Sequence, residues 1–291
     1  MNDEDWLQLH DERLVTITQF HTMASLRASR NQSKSLALVP TMGALHEGHL
    51  SLVRLAQQKA DEVVVSIFVN PTQFAPHEDF ASYPRTLDED LAKLNELKVD
   101  YAYVPDVHDL YPAGPRTIVK PGPIASTLEG QYRPHFFDGV ATVVNKLISG
   151  LGPNIAVFGE KDFQQLMVVR QMVEDCCLPC EIIGAPTMRE EDGLAMSSRN
   201  KYLDQKERAK AMGLHAVLQE IGSRLRAGSM PVAQAPVFGA QMLLRSGFEK
   251  VDYVNLVDLP DLNNARTYQA GQRLLAAAWL GSTRLIDNIK V

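Results

Sequence analysis

The sequence predicts an α/β protein: an open, doubly wound parallel sheet followed by a smaller α+β unit. Two observations lead there. Over roughly the first two-thirds of the 291 residues, short apolar runs alternate with amphipathic stretches. Those runs are continuously apolar, as in parallel strands covered on both faces. After about residue 200 the order changes to two helical stretches and then three β-rich runs separated only by turns, which predicts a small antiparallel or mixed sheet.

The elements follow in order. SLALVP (residues 35–40) predicts a buried strand and residues 48–60 a helix. EVVVSIFVNP (62–71) predicts a strand, TLDEDLAKLNEL (86–97) a helix and YAYVP (101–105) a short strand. GVATVVNKLISGL (139–151) reads as a helix, NIAVFG (154–159) as a strand, FQQLMVVRQMVED (163–175) as a helix and CEIIGAP (180–186) as the last strand of the series. Helices are then predicted over 205–225 and 232–246, separated by the Gly and Pro of GSMP, and strands at 250–258, 273–280 and 283–291. The boundary falls near Pro186. It divides a first domain (1–185) from a smaller C-terminal domain (186–291) opened by MREEDGLAMSSRN.

Composition narrows the function classes. The net charge is −6 with no long basic run, which argues against a nucleic-acid surface built on phosphate neutralisation. No apolar run is long enough to cross a bilayer. The opening MNDEDWLQLH is acidic and lacks the basic and apolar regions of an export signal, so the cytoplasm is the expected compartment. Cys176, Cys177 and Cys180 have no second ligand pair, and reduced thiols at a helix end fit them better than a zinc site.

The most informative stretch is PTMGALHEGHLSL (residues 40–52), between a predicted strand and helix. Free N–H groups and the macrodipole at such a helix start favour an anion. His46 and His49 are three apart and face one side of a helical turn, while Gly48 lets a flat base or sugar approach the backbone. HEGH is not the HExxH of zinc proteases. A phosphate site and a pair of buried structural histidines both stand at this point. In AMSSRN (195–200), hydroxyls and a guanidinium fork suit phosphate oxygens. Lys161, between a predicted strand and helix, puts an ammonium at the sheet's carboxyl edge, where the helix dipole disfavours it. Asn70 and Gln73, at another strand end, and Gln165 offer uncharged amide donors and acceptors.

HEGH matches the HxGH signature of a nucleotidyltransferase superfamily that includes class I aminoacyl-tRNA synthetases. The longer PTMGALHEGH resembles the pantothenate synthetase (pantoate–β-alanine ligase) family, and AMSSRN occupies the place of the superfamily's KMSKS loop without its lysines. The resemblance runs from about Thr16 to the carboxyl end and implies a Rossmann-like sheet. It implies ATP contacts from Met42, Gly43, Ala44, Leu45, His46, Glu47, Gly48 and His49, then from Gly159, Glu160, Lys161 and Asp162. Met188, Met196, Ser197, Ser198 and Arg199 complete that set. His46, His49 and Lys161 are the implied catalytic residues, with His49 favoured as proton donor. Gln73 and Gln165 would hold pantoate, with Asn70 beside them; Arg133, Val143 and Val144 would line the same end.

The implied reaction condenses pantoate with β-alanine through a pantoyl adenylate, releasing pyrophosphate and AMP. Magnesium would accompany ATP on phosphate oxygens and water with no protein cage. The run Asp88-Glu89-Asp90 is accounted for by its place at a helix start. Loops around residues 76–81 or 195–200 would close over the labile adenylate, and a homodimer is implied. Two rivals remain. Another HxGH adenylyltransferase would need more Arg and Lys for an anionic acceptor, and a non-catalytic ATP-binding regulator would bind nucleotide without forming AMP.

Overall fold

The computed structural model describes residues 17–76 and 78–291. The acidic opening segment and His77 of the predicted 76–81 loop lie outside the described residues. The first part of the chain forms β1 (Thr18–Phe20), α1 (Met23–Ser29), β2 (Leu36–Thr41), α2 (Glu47–Gln57), β3 (Glu62–Ile67), α3 (Leu87–Glu96) and β4 (Tyr101–Tyr103). It continues through α4 (Val107–Leu110), α5 (Glu129–Tyr132), α6 (Phe136–Leu151), β5 (Ile155–Gly159), α7 (Phe163–Asp175) and β6 (Glu181–Ala185).

The six strands pair in the order β1-β4-β3-β2-β5-β6, and every pairing is parallel. From β2 the chain steps outward to β3 and β4, then returns to lay β5 against the other side of β2. The strand order therefore reverses between β2 and β5, the place where open α/β sheets leave a crevice at the carboxyl ends.

The continuous apolar strands are explained by two cores. Leu36 and Leu38 of β2 enter one core with Val64, Ala156, Phe158 and the apolar faces of α6 and α7. Ala37 and Val39 enter the opposite core with Val63, Val65, Val157 and Leu52, Val53 and Ala56 of α2. Each strand residue meets apolar partners on its own face, so the alternation expected of a half-solvated strand has nothing to select it.

The remainder forms α8 (Gln205–Ala211), α9 (Gly213–Arg226), α10 (Ala235–Arg245) and three strands, β7 (Lys250–Val257), β8 (Arg273–Leu280) and β9 (Thr283–Lys290). These strands make a separate antiparallel sheet in the order β7-β8-β9. Its buried face packs with α9 and α10 in a third core around Leu218, Ile221, Leu243 and Leu274.

Several boundaries differ from expectation. The helix expected over 205–225 breaks at Met212, which ends one helix and caps the next. The strand expected over 62–71 stops at Ile67, and Pro71–Gln73 wind into a 3-10 turn capped by the Asn70 side chain. The short β1, α1, α4 and α5 are additions that carry no sustained apolar period. Gly139 of α6 packs against that 3-10 turn, where a Cβ would lie 2.5 Å from the Thr72 carbonyl oxygen and 2.7 Å from the Gln73 nitrogen. Both obstacles are backbone and cannot swing aside. Gly139→Ala should therefore cost about 1–3 kcal/mol of overpacking, more than the ~1 kcal/mol that alanine gains in helix propensity. A thermal midpoint equal to or above wild type would refute that close packing.

Candidate active site

Strand β2 delivers the chain to a turn with two left-handed residues, Gly43 at φ +82° and Ala44 at φ +51°. This turn is held from the side by α3. The Asp90 carboxylate, wholly buried, accepts from the Ala44 N–H at 2.8 Å and the Leu45 N–H at 2.7 Å. Lys93 Nζ donates to the Leu45 carbonyl at 2.8 Å. The acidic run at 88–90 is thus not only a favourable helix start, because its third member anchors the histidine loop. No sequence period marks that role.

His46 then caps α2 in an extended conformation, and the Glu47 and Gly48 N–H groups open the helix without protein partners among the described residues. The His46 backbone N–H donates to His49 Nδ1 at 3.3 Å. That nitrogen must be the unprotonated one in the neutral ring, which leaves the His49 proton on Nε2. The two rings lie 4.1 Å apart between centroids. A Cβ on Gly48 would lie 2.8–2.9 Å from the His46 ring, so glycine here makes room for the histidine itself. Burial, followed by the Lys161 charge, lowers His46 to about 4. Burial and the neighbouring His46 take His49 to about 3. With those values both rings are neutral near pH 7 in the free protein, and each then carries a single N–H.

Facing them across the β2/β5 reversal, the Glu160–Asp162 3-10 turn after β5 carries Lys161. Its ammonium has Asp162 at 3.7 Å as its carboxylate neighbour. Histidines, Lys161, Met196–Arg199 and the amide residues border one cleft of about 1000 Å³. The two motifs meet there: Met196 Cβ lies 3.5 Å from where a Gly48 Cβ would stand. Met196 N donates to the Met188 carbonyl at 3.0 Å.

Five residues expected to touch nucleotide do not border this cleft. Gly43, Ala44 and Leu45 lie behind it, with the amides of the last two spent on Asp90. Glu47 pairs with Arg54 on the surface, and Glu160 pairs with Arg273. Arg199 borders the cleft but is engaged by Asp79 at 2.9 and 3.0 Å. Burial alone would raise the Asp79 carboxyl, but the Arg199 hydrogen bond and charge hold it below its ordinary value. Ser198 Oγ lies 3.5 Å from the Tyr83 hydroxyl, so the 79–83 and 195–202 segments are already joined.

At the other end of the cleft, Gln165 has no side-chain hydrogen bond among the described residues, whereas Gln164 is spent on Ile124, Thr127 and Glu129 backbone. Asn70 is saturated: its Oδ1 accepts from Thr72 and Tyr111 hydroxyls, and its Nδ2 donates to Gln73 and to the Gly139 carbonyl. It therefore orients Gln73 and has no donor left for a ligand, against the expectation of direct contact. Arg133 is likewise committed, donating to Glu78 at 2.6 and 2.8 Å while stacking 3.7 Å over Phe136. Val143 and Val144 line this end. His135, on a left-handed residue, stays outside. Cys180 is buried and free, while Cys176 and Cys177 are exposed.

Sequence reasoning missed Asp90, Glu129, Arg284, Asp252, Asp287 and Asn288. Arg284 of β9 donates to both Glu129 oxygens at 2.7 Å and to Asp252 at 2.7 Å, fastening the small sheet to α5. For Asp287 and Asn288 the available signal was two consecutive polar residues between Ile286 and Ile289 of a strand.

Known proteins resemble this chain along nearly its whole length. The family model described as pantoate-beta-alanine ligase matches residues 15–290. A pantothenate synthetase of Rhodopseudomonas palustris is 51% identical over 93% of this chain and 97% of its own length. One from Mesorhizobium japonicum is 52% identical over 93% and 96%. The crystal structure of pantothenate synthetase from Thermus thermophilus superposes with a TM-score of 0.90 at 43% identity, covering 94% of this chain and 99% of that one. The pantoate-beta-alanine ligase of Francisella tularensis, complexed with beta-gamma ATP and beta-alanine, gives 0.80 at 34% identity over 94% and 97%. With the family model spanning nearly the whole chain and half the residues shared with full-length relatives, the chain belongs to the pantoate-beta-alanine ligase family.

Proposed function

We infer that this chain joins pantoate to β-alanine with ATP, releasing AMP and pyrophosphate. The observation that carries the reading is the α2 N-terminus with its two histidines facing Lys161 across the sheet's reversal, beside the uncharged amides of Gln73 and Gln165. A carboxylate is a poor acyl donor to an amine until its oxygen becomes a good leaving group. In the first step the pantoate carboxylate attacks the α-phosphorus of ATP, and pyrophosphate leaves. In the second, the β-alanine amine attacks the carbonyl of the pantoyl adenylate, and AMP leaves with the electron pair of the broken C–O bond.

The protein's own part is positioning and electrostatics. The helix N–H groups, the His46 and His49 N–H donors and the Lys161 ammonium all aim at phosphoryl oxygens as charge develops on them. Gln73, held by Asn70, and Gln165 orient the hydroxy acid. Arg199 serves the triphosphate from its anchored place beside Asp79. Magnesium travels with ATP: of the cleft carboxylates among the described residues, Asp162 is the one not taken up by an arginine, and a single carboxylate suits a metal held mainly by phosphate oxygens and water. The division at Pro186, a lid role for 186–291, a homodimer and a cytoplasmic setting belong to the same reading. Among the described residues no helix is long and apolar enough to cross a membrane.

The deciding experiment measures pyrophosphate and AMP from Mg-ATP with pantoate and β-alanine added singly and together. Pantoate-dependent pyrophosphate, then pantothenate and AMP once β-alanine is supplied, is the expected result. Folded protein that releases no pantoate-dependent pyrophosphate would sink the reading. Lys161→Met should slow the pyrophosphate step on the order of 10²-fold with little change in thermal midpoint, since its carboxylate neighbour is 3.7 Å away and half-exposed. An unslowed variant would remove Lys161 from the chemistry.

The histidines also predict a pH dependence. Their folded values, about 4 and about 3, lie below the ordinary 6.5, so between those limits the unfolded chain holds more protons. Stability must then fall as pH drops through that window. The denaturant midpoint of wild type should lose more between about pH 7 and pH 5 than that of His46→Gln/His49→Gln. Parallel slopes would contradict the buried, neutral histidines.

A further inference from the structure

We propose that Asp287 and Asn288, consecutive on β9, are positioning residues that hold the Lys161 turn and the 188–199 segment in register across the cleft. This rests on the reading that Lys161 and the 196–199 residues serve ATP phosphates. Neither residue belongs to the histidine, lysine or Ser-Ser-Arg strings.

Successive residues of a strand point to opposite faces, and here both faces are buried: Asp287 is 3% exposed and Asn288 4%. The Asn288 side-chain amide donates to the Glu160 and Lys161 carbonyls, each at 2.9 Å. Those carbonyls belong to the 3-10 turn that aims Lys161, so one amide group sets the turn's orientation from the neighbouring sheet. Arg273 of β8 reinforces it by pairing with Glu160 while its guanidinium lies 4.0 Å over the Phe163 ring.

On the opposite face, Asp287 accepts from Arg189 at 2.7 and 2.9 Å and lies 3.3 Å from His215 Nδ1. Burial would raise the Asp287 carboxyl, but the bonds from His215 and Arg189 keep it below its ordinary value. Arg189 in turn donates to the Gly193 carbonyl at 3.0 Å, and residue 189 bridges residue 195 directly before Met196. The two side chains thus reach the two phosphate-facing elements, which come from different parts of the chain, through a single rigid strand. A misplacement of about 1 Å in such elements is enough to cost on the order of 10²-fold in rate.

The first step handles three phosphates and the second only the α-phosphate of the adenylate. A positioning role therefore predicts a split between steps that a general loss of structure would not produce. Asn288→Asp keeps the shape but turns two donors into acceptors facing two carbonyls. Enzyme, ATP and pantoate are mixed and the pyrophosphate phase timed to completion; β-alanine is then added and pantothenate formation timed. The pyrophosphate phase should slow about 10- to 100-fold with a raised KM for ATP, while the β-alanine phase stays near wild type. Asp287→Asn should shift the same parameters in the same direction. If Asn288→Asp does not fold, Asn288→Ser, which keeps one donor, carries the same split at smaller size. Equal slowing of both phases, or no slowing, in a folded variant overturns the proposal. A wild type without pantoate-dependent pyrophosphate would overturn the ligase reading instead. Calorimetric ATP affinity, expected to weaken in Asn288→Asp, then still decides the positioning role.

Discussion

The carboxylate of Asp90 is the constraint on which the site depends. A chain leaving β2 must turn through two left-handed residues before it can start α2, and one of them, Ala44, carries a Cβ that disfavours that conformation. Such a turn lies behind the cleft, away from water, with two backbone N–H groups that must find acceptors. Asp90 takes both in one charge-assisted fork, and Lys93, just under a full turn further along α3, takes the Leu45 carbonyl. With the turn pinned, His46 falls at the cap position and His49 three residues on. Gly48 is then forced to be small by the His46 ring lying over it. The separation of the HEGH string from the acidic run by some forty residues conceals a single local structure.

Electrostatically the cleft is more nearly compensated than its number of cations suggests. Arg133, Arg199 and Arg284 each face a carboxylate at 3.0 Å or less, and the histidines are uncharged. Burial is the largest influence on both rings; the Lys161 charge adds to it at His46, and the neighbouring His46 and Lys161 add to it at His49. An anion entering the cleft beside the histidines thus finds mainly N–H dipoles and the weakly paired Lys161 ammonium. Dipoles of this kind are already oriented and need no reorganisation as charge moves along the phosphate chain.

Much of this is legible in the sequence, and what is not has a common physical cause. The parallel sheet can be read from Leu36–Thr41 and Glu62–Ile67 because burial on both faces leaves an uninterrupted apolar run. The histidine string and Lys161 can be singled out because a strand end followed by a helix start is a local pattern, whereas the Ser-Ser-Arg segment stands out only through its resemblance to the superfamily's loop. For Asn70 the string FVNPTQF points to the cleft wall, but nothing in it tells that Tyr111 and Gly139 will engage its amide. Asp90 is hidden within the favourable chemistry of a helix start. Its partners lie 45 and 46 residues away, and no periodicity spans that distance. At Met212 the sequence does carry a local mark, Gly213 at the first position of the second helix, but a lone glycine inside an otherwise helix-favouring stretch does not by itself show that the helix breaks there.

The small sheet does more than enclose a core of its own. Along β9 the residues alternate in allegiance: Leu285 and Ile289 enter the C-terminal core, while Arg284 and Asn288 reach Glu129 and the Lys161 turn. A strand with one face in its own core and the other hydrogen-bonded to the nucleotide side cannot shift by one residue without exchanging those faces. Its register is therefore tied to the position of the lysine, and the lysine to the fold of a segment more than a hundred residues later. Apolar packing alone tolerates small slides between layers, whereas paired amides and carboxylates do not, because each displaced donor leaves a buried carbonyl without a partner. The polar residues buried in β9 thus convert a hydrophobic association into a fixed geometry, which is what transfer at a single phosphorus atom requires.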